Sequence, residues 1–133
     1  MKSKSAKTSR TKSNTEKNNF PIIGIGASAG GLEALELFFE NMPADTGMAF
    51  VVIQHLDPDH VGIMPELLQR ITSMKVFQAS DKLMIKPNQV YVIPPNKSMS
   101  ILQGALFLFE PVEARGLRLP IDYFFKSMAI DQQ

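Results

Sequence analysis

The sequence predicts an α/β domain, doubly wound around a mostly parallel sheet. Three features carry that expectation: an apolar run closed by glycines, an amphipathic helical stretch directly after it, and a second apolar run after a turn. Phe20 to Ile25 is short and apolar on both alternate sets of positions, as suits a strand covered on both faces. Gly30-Gly31 leads into a segment where Leu32, Leu35, Phe39 and Met42 recur at helical spacing, with Glu33, Glu36 and Glu40 on the polar side. Met42-Pro43-Ala44-Asp45-Thr46-Gly47 stops the helix, and Met48 to Ile53 is the second strand. Strand, helix, strand in that order implies a crossover connection and a parallel pair.

Downstream, Asp57-Pro58 offers a helix cap and first position, and Met64, Leu67, Leu68 and Ile71 carry the helical period. Lys75 to Ala79 and Val90 to Ile93 read as short strands. Met99 to Leu102 and Ala105 to Phe109 flank Gln103-Gly104 as a tight hairpin. Pro111 to Leu119 reads as a loop, and Pro120 to Ala129 as the start of a helix. No internal repeat is visible.

The chain has 133 residues, the length of one domain, and its hydrophobic fraction of 44% can fill a core. It has no cysteine, which excludes disulfide scaffolds, thiolate metal sites and cysteine nucleophiles, and suits a reducing cytoplasm. No apolar run reaches the length of a membrane-spanning helix. The net charge of +1 is unevenly placed: residues 1–19 carry six basic side chains against Glu16, so the remainder is mildly acidic. That balance speaks against a nucleic-acid groove on the folded part. Residues 1–19 lack core-forming side chains beyond Met1 and are expected to be a disordered basic tail, with the folded domain over 20–133. Phe20-Pro21-Ile22-Ile23-Gly24 is too short an apolar segment for a secretory signal.

The chemistry concentrates in Gly24-Ile25-Gly26-Ala27-Ser28-Ala29-Gly30-Gly31. Read as Gly26-x-Ser28-x-Gly30 it is a nucleophile elbow, where a strained strand-to-helix turn needs small neighbours and lifts the serine hydroxyl off the sheet. The backbone N–H of Ala29, at a helix start, is then placed to stabilise an oxyanion. Read as Gly24-x-Gly26-x-x-Ala29, the same letters make a dinucleotide-binding turn, although the second strand ends in Gln54-His55, without the acid such a turn expects. A plain connecting turn is the third reading.

His55 favours the elbow. Parallel neighbours end on one rim of a sheet, so a serine after the first strand and a histidine after the second emerge about 5 Å apart, within reach for general-base catalysis. His55-Leu56-Asp57-Pro58-Asp59-His60 can also be read as a metal site, but the proline and acids are already accounted for at a helix start, and neither metal nor cofactor is expected. His60 is read as a surface or substrate-adjacent residue. No carboxylate presents itself to orient His55: Asp45 precedes the second strand and so falls at the opposite rim, Asp57 is too near in sequence to face Nδ1, and Asp81, Asp122 and Asp131 are not placed by periodicity.

Phe20 to Ala129 resembles the catalytic domain of the CheB-type chemotaxis receptor methylesterases. The resemblance rests on Ile23 to Ala34, on Val51-Val52-Ile53-Gln54-His55-Leu56, on Tyr91-Val92-Ile93-Pro94-Pro95-Asn96-Lys97-Ser98-Met99, and on Arg118 with Ile121-Asp122-Tyr123-Phe124-Phe125-Lys126-Ser127. It implies a protein-glutamate methylesterase that hydrolyses γ-glutamyl methyl esters on chemoreceptor helices, with Ser28 as nucleophile and His55 as its partner. The family places its triad aspartate in a later Gly-Met-Gly-x-Asp-Gly segment, which this sequence does not contain. The expectation is therefore a domain truncated at its C-terminus, with impaired activity. With no receiver domain before it, the chain is similar to relatives that fuse the esterase to a receptor methyltransferase, which the resemblance implies as a second partner. Ala29 stands where many members carry threonine, and a proline near Arg118 is displaced by one residue. The competing function class is a non-catalytic module that binds nucleotide or docks on receptors.

Overall fold

The computed structural model describes residues 20–27, 31–54, 63–110 and 120–132, with the side chain of Pro120 left aside. The expected tail over 1–19 lies outside them. Along the chain run β1 (Ile22–Ala27), α1 (Leu32–Glu40), β2 (Ala49–Gln54), α2 (Met64–Gln69), β3 (Lys75–Gln78), β4 (Leu83–Met84), β5 (Gln89–Val92), β6 (Ser98–Leu102), β7 (Ala105–Phe109) and α3 (Pro120–Asp131).

The described strands form two sheets. One is four-stranded in the order β1-β2-β5-β3, and every pairing in it is parallel. The other is three-stranded and antiparallel, in the order β4-β7-β6. The α/β class and mostly parallel main sheet agree with expectation, whereas the separate antiparallel sheet was not foreseen. Its hairpin turns at Gln103-Gly104 as the sequence indicates, with φ of 52° and 80° at the two residues, the left-handed pair that a two-residue turn requires.

β2 is the spine. All six of its residues are buried, and its alternate side chains feed two different cores. Ala49, Val51 and Ile53 join Ile22, Tyr91, Met99, Leu106 and Phe124 beneath α3. Phe50 and Val52 join Leu35, Phe39, Met64, Leu68 and Val92 beneath α1 and α2. A strand buried on both faces is what the uninterrupted apolar run Ala49–Ile53 requires. Register is set at the lower rim, where Asn88 (φ 64°) donates its N–H to the Met48 carbonyl at 2.8 Å and its Oδ1 accepts from Gly47 N at 2.6 Å. These bonds join the turns entering β5 and β2.

Some boundaries differ from the sequence reading. β1 begins and ends two residues later than expected: Pro21 has no N–H to give a ladder, and its carbonyl accepts from Ala49 N at 3.0 Å. The proline that starts α2 is Pro65, following an Ile63 N-cap with no side-chain bond. Asp57-Pro58, expected to serve there, lies outside the described residues. α3 runs on to Asp131, because Ser127 Oγ accepts from Ile101 N at 3.0 Å and Asp131 Oδ1 accepts from Gln103 N at 2.6 Å, fastening the helix along β6.

Tyr91 links the two sheets' surroundings. Its hydroxyl accepts from Lys86 N at 2.8 Å and donates to Gln89 Oε1 at 2.7 Å, while the ring stacks on Phe77 with centroids 5.7 Å apart. Burial pushes the phenol pKa up from its ordinary value, partly offset by the Lys86 N–H. Among the described residues, no helix is long and apolar enough to cross a membrane.

Candidate functional site

Because the strands of the main sheet are parallel, their C-terminal ends share one rim. The last register pair of β1 and β2 is Ala27 with Gln54. Ser28, Ala29 and His55 follow these residues in sequence and lie outside the described residues, as do Asp57, Asp59 and His60. The described structure supplies the frame from which they leave.

That frame explains two of the glycines. A Cβ on Gly24 would stand 2.5 Å from Phe125 Cε1 and 3.1 Å from Met128 Sδ, and one on Gly26 would stand 2.6 Å from Ile121 Cγ2. Both glycines therefore admit α3 to close contact with β1. The elbow reading had assigned Gly26 to relieving crowding around the serine, and α3 gives it a further reason. The dinucleotide reading loses ground here, since it needs Gly24 and Gly26 in the turn after the strand, and both lie within β1. The same contacts carry the first turn of α3 to the rim, so Asp122, exposed in that turn, lies near the strand ends.

The other acids lie elsewhere. Asp45 sits in the turn before β2, at the opposite rim, as its sequence position predicts. Asp81 Oδ1 accepts from Leu108 N at 2.8 Å in the antiparallel sheet, and Asp131 is bonded to Gln103 at the far end of α3. Among the described residues, no group of three or more His, Cys, Asp or Glu side chains could hold a metal ion.

On the opposite face of β1, an open apolar hollow of about 450 Å³ runs between the outer edge of the strand and α1, lined by Ile23, Ile25, Ala27, Ala34, Leu35 and Phe38 among others. β1 has no partner on that edge among the described residues. Leu37 and Phe38 on α1 and Phe125 and Ile130 on α3 are exposed.

A crossover-linked parallel sheet with helices on both faces defines an α/β domain of the class that carries its chemistry beyond the carboxyl ends of its strands. Known proteins narrow this class. The family model described as CheB methylesterase matches residues 23–133, and the chain belongs to that family. A putative protein-glutamate methylesterase/protein-glutamine glutaminase of Leptospira interrogans is 32% identical over 110 residues, covering 82% of this chain and 57% of that protein. A protein-glutamate methylesterase/protein-glutamine glutaminase of Xanthomonas campestris is 42% identical over 82 residues, 62% of this chain and 23% of that protein. The crystal structure of the Thermotoga maritima CheB methylesterase catalytic domain superposes with a TM-score of 0.72 at 25% identity, covering 85% of this chain and 62% of that one. The chain thus spans 57% and 23% of the lengths of these two curated relatives.

Proposed function

We propose that this domain is the Ser28/His55 portion of a protein-glutamate methylesterase, acting in the cytoplasm on γ-glutamyl methyl esters of chemoreceptor helices. The observation that carries the reading is the register of β1 on β2. Ala27 and Gln54 are partners, and Ser28 and His55 are the next residues of each strand. Side chains alternate along a strand, so positions 28 and 55 continue the series Ile22, Gly24, Gly26 and Ala49, Val51, Ile53, which both face α3. The family membership of the matched segment supports the same assignment.

In this mechanism the Ser28 hydroxyl attacks the ester carbonyl while His55 takes its proton, and the Ala29 N–H stabilises the oxyanion. As the intermediate collapses, His55 protonates the departing methoxide and methanol leaves. Water, deprotonated by His55, then attacks the acyl-serine, releasing the glutamate carboxyl and restoring Ser28. No Gly-Met-Gly-x-Asp-Gly segment is present in the sequence; Asp45 lies at the opposite rim and Asp131 at the far end of α3, whereas Asp122 lies near the strand ends. Residues 20–133 make up part of the catalytic domain.

Methanol release from methylated chemoreceptor cytoplasmic fragments tests the proposal. Methanol release by the chain, absent in Ser28→Ala, is the expected result; equal release by both proteins contradicts it.

A further inference from the structure

The edge of β1 that faces away from β2 has no partner among the described residues. Which of its groups look outward follows from the ladder. Pro21 O accepts from Ala49 N at 3.0 Å, and along a strand the N–H and C=O of one residue point together, changing side at each step. Ile23, Ile25 and Ala27 therefore turn their backbone groups to β2. Those of Ile22, Gly24 and Gly26 face outward, with nothing to bond among the described residues.

The usual guards against further pairing are missing from this edge. No charge and no proline lies within Ile22–Ala27, whereas β3, the other edge of the sheet, opens on the exposed Lys75. Beside the bare edge lies the hollow of about 450 Å³: Ile23, Ile25 and Ala27 line it from the strand, and Ala34, Leu35 and Phe38 from the helix. Ile23 and Ile25 are left half-buried by it. Unpaired backbone next to an apolar hollow fits an added β-strand with apolar side chains at alternate positions.

Three sources of such a strand compete. Residues 1–19 hold no leucine, isoleucine, valine or aromatic side chain to fill the hollow. A second copy, pairing β1 with β1 about a two-fold axis, would bring together two α1 helices, each carrying Glu33, Glu36 and Glu40 and no basic residue. The third source is the rest of the catalytic domain. This chain covers 62% of the Thermotoga maritima domain, so more than a third of that domain has no counterpart in it. The described strands extend from β1 to one side only, in the order β1-β2-β5-β3, and a doubly wound sheet continues on the far side of its first strand.

We propose that the outer edge of β1 and its hollow seat a further parallel strand, supplied by the part of the methylesterase domain that this chain does not cover. Neither Ser28 nor His55 enters this assignment, which stands on the family and the described sheet.

Amide exchange of the full chain tests it, alone and with the stretch of the Leptospira interrogans relative outside the matched 110 residues added in saturating excess. In the chain alone, Ile22, Gly24 and Gly26 should exchange about 10-fold or more faster than Val51 and Val52 of β2. The added stretch should slow these three amides about 10-fold or more. Ala34→Lys, at an exposed helix position that lines the hollow, should cancel the slowing without altering exchange in β2. Protection of the three amides in the chain alone overturns the proposal: if independent of concentration it gives the edge to one of the chain's own segments, and if rising with concentration to a second copy. An edge that stays open with the added stretch, or that is slowed equally in Ala34→Lys, overturns it too. Methanol release plays no part in the readout, so failure of the hydrolase reading would leave the result standing.

Discussion

Alanine at position 28 is expected to abolish covalent labelling by a fluorophosphonate probe, and alanine at position 55 to slow it by about three orders of magnitude or more. The two effects differ in kind. Ser28→Ala removes the attacking oxygen, so no adduct forms whatever the rest of the site does. His55→Ala leaves the hydroxyl but removes its base, and an unassisted serine is a weak nucleophile near neutral pH. Triad members act as a unit, so Ser28→Ala with His55→Ala should be no worse than Ser28→Ala alone. Mass spectrometry of the intact chain reads the adduct directly. Labelling that persists in Ser28→Ala, or is indifferent to His55, assigns the reactivity to another residue.

The second large effect concerns the helix that caps the site face. Phe124 is fully buried, in the cluster that joins Val51 and Tyr91 of the parallel sheet to Met99 and Leu106 of the antiparallel one. It is the side chain by which α3 closes both sheets into one core. Phe124→Ala leaves a cavity whose walls belong to three elements, and its expected cost is about 3–5 kcal/mol. Against a total stability of about 5–15 kcal/mol for a domain, that is a large share. Urea unfolding should show a lower midpoint at an unchanged slope. A loss below about 1 kcal/mol would mean that α3 is not integral to this core.

What could be read from the letters follows the range of the physics involved. The parallel pair β1 and β2 was legible, because a run apolar at every position, a glycine turn and a 3.6-residue period are all local marks. So was the Gln103-Gly104 hairpin. Membership of β6 and β7 in a separate sheet was not, since two-residue β4 (Leu83–Met84) carries no pattern of its own. The close approach of Ile121 and Phe125 to Gly26 and Gly24 joins segments about a hundred residues apart. Glycines that seemed to belong to a phosphate turn or an elbow alone were thus also serving a helix far along the chain. Ser28 and His55 are proposed from motif and strand order alone. The burial of Gln54 is not legible in the sequence, because a glutamine ending an apolar run looks like a solvated strand end.

The account depends on positions 28 and 55 lying side by side beyond the last register pair. The absence of cysteine from the chain allows that to be measured without background. A chain carrying both Ser28→Cys and His55→Cys places two thiols at positions whose Cα separation, if β1 and β2 simply continue, falls in the disulfide range of about 4.4–6.8 Å. Mild oxidation should close an intramolecular disulfide in the folded double variant. A control chain with Ser28→Cys and Asp45→Cys, at opposite rims, should close none. If the 28/55 pair stays reduced while the folded chain is otherwise unchanged, the two groups do not meet, and the serine–histidine assignment is contradicted.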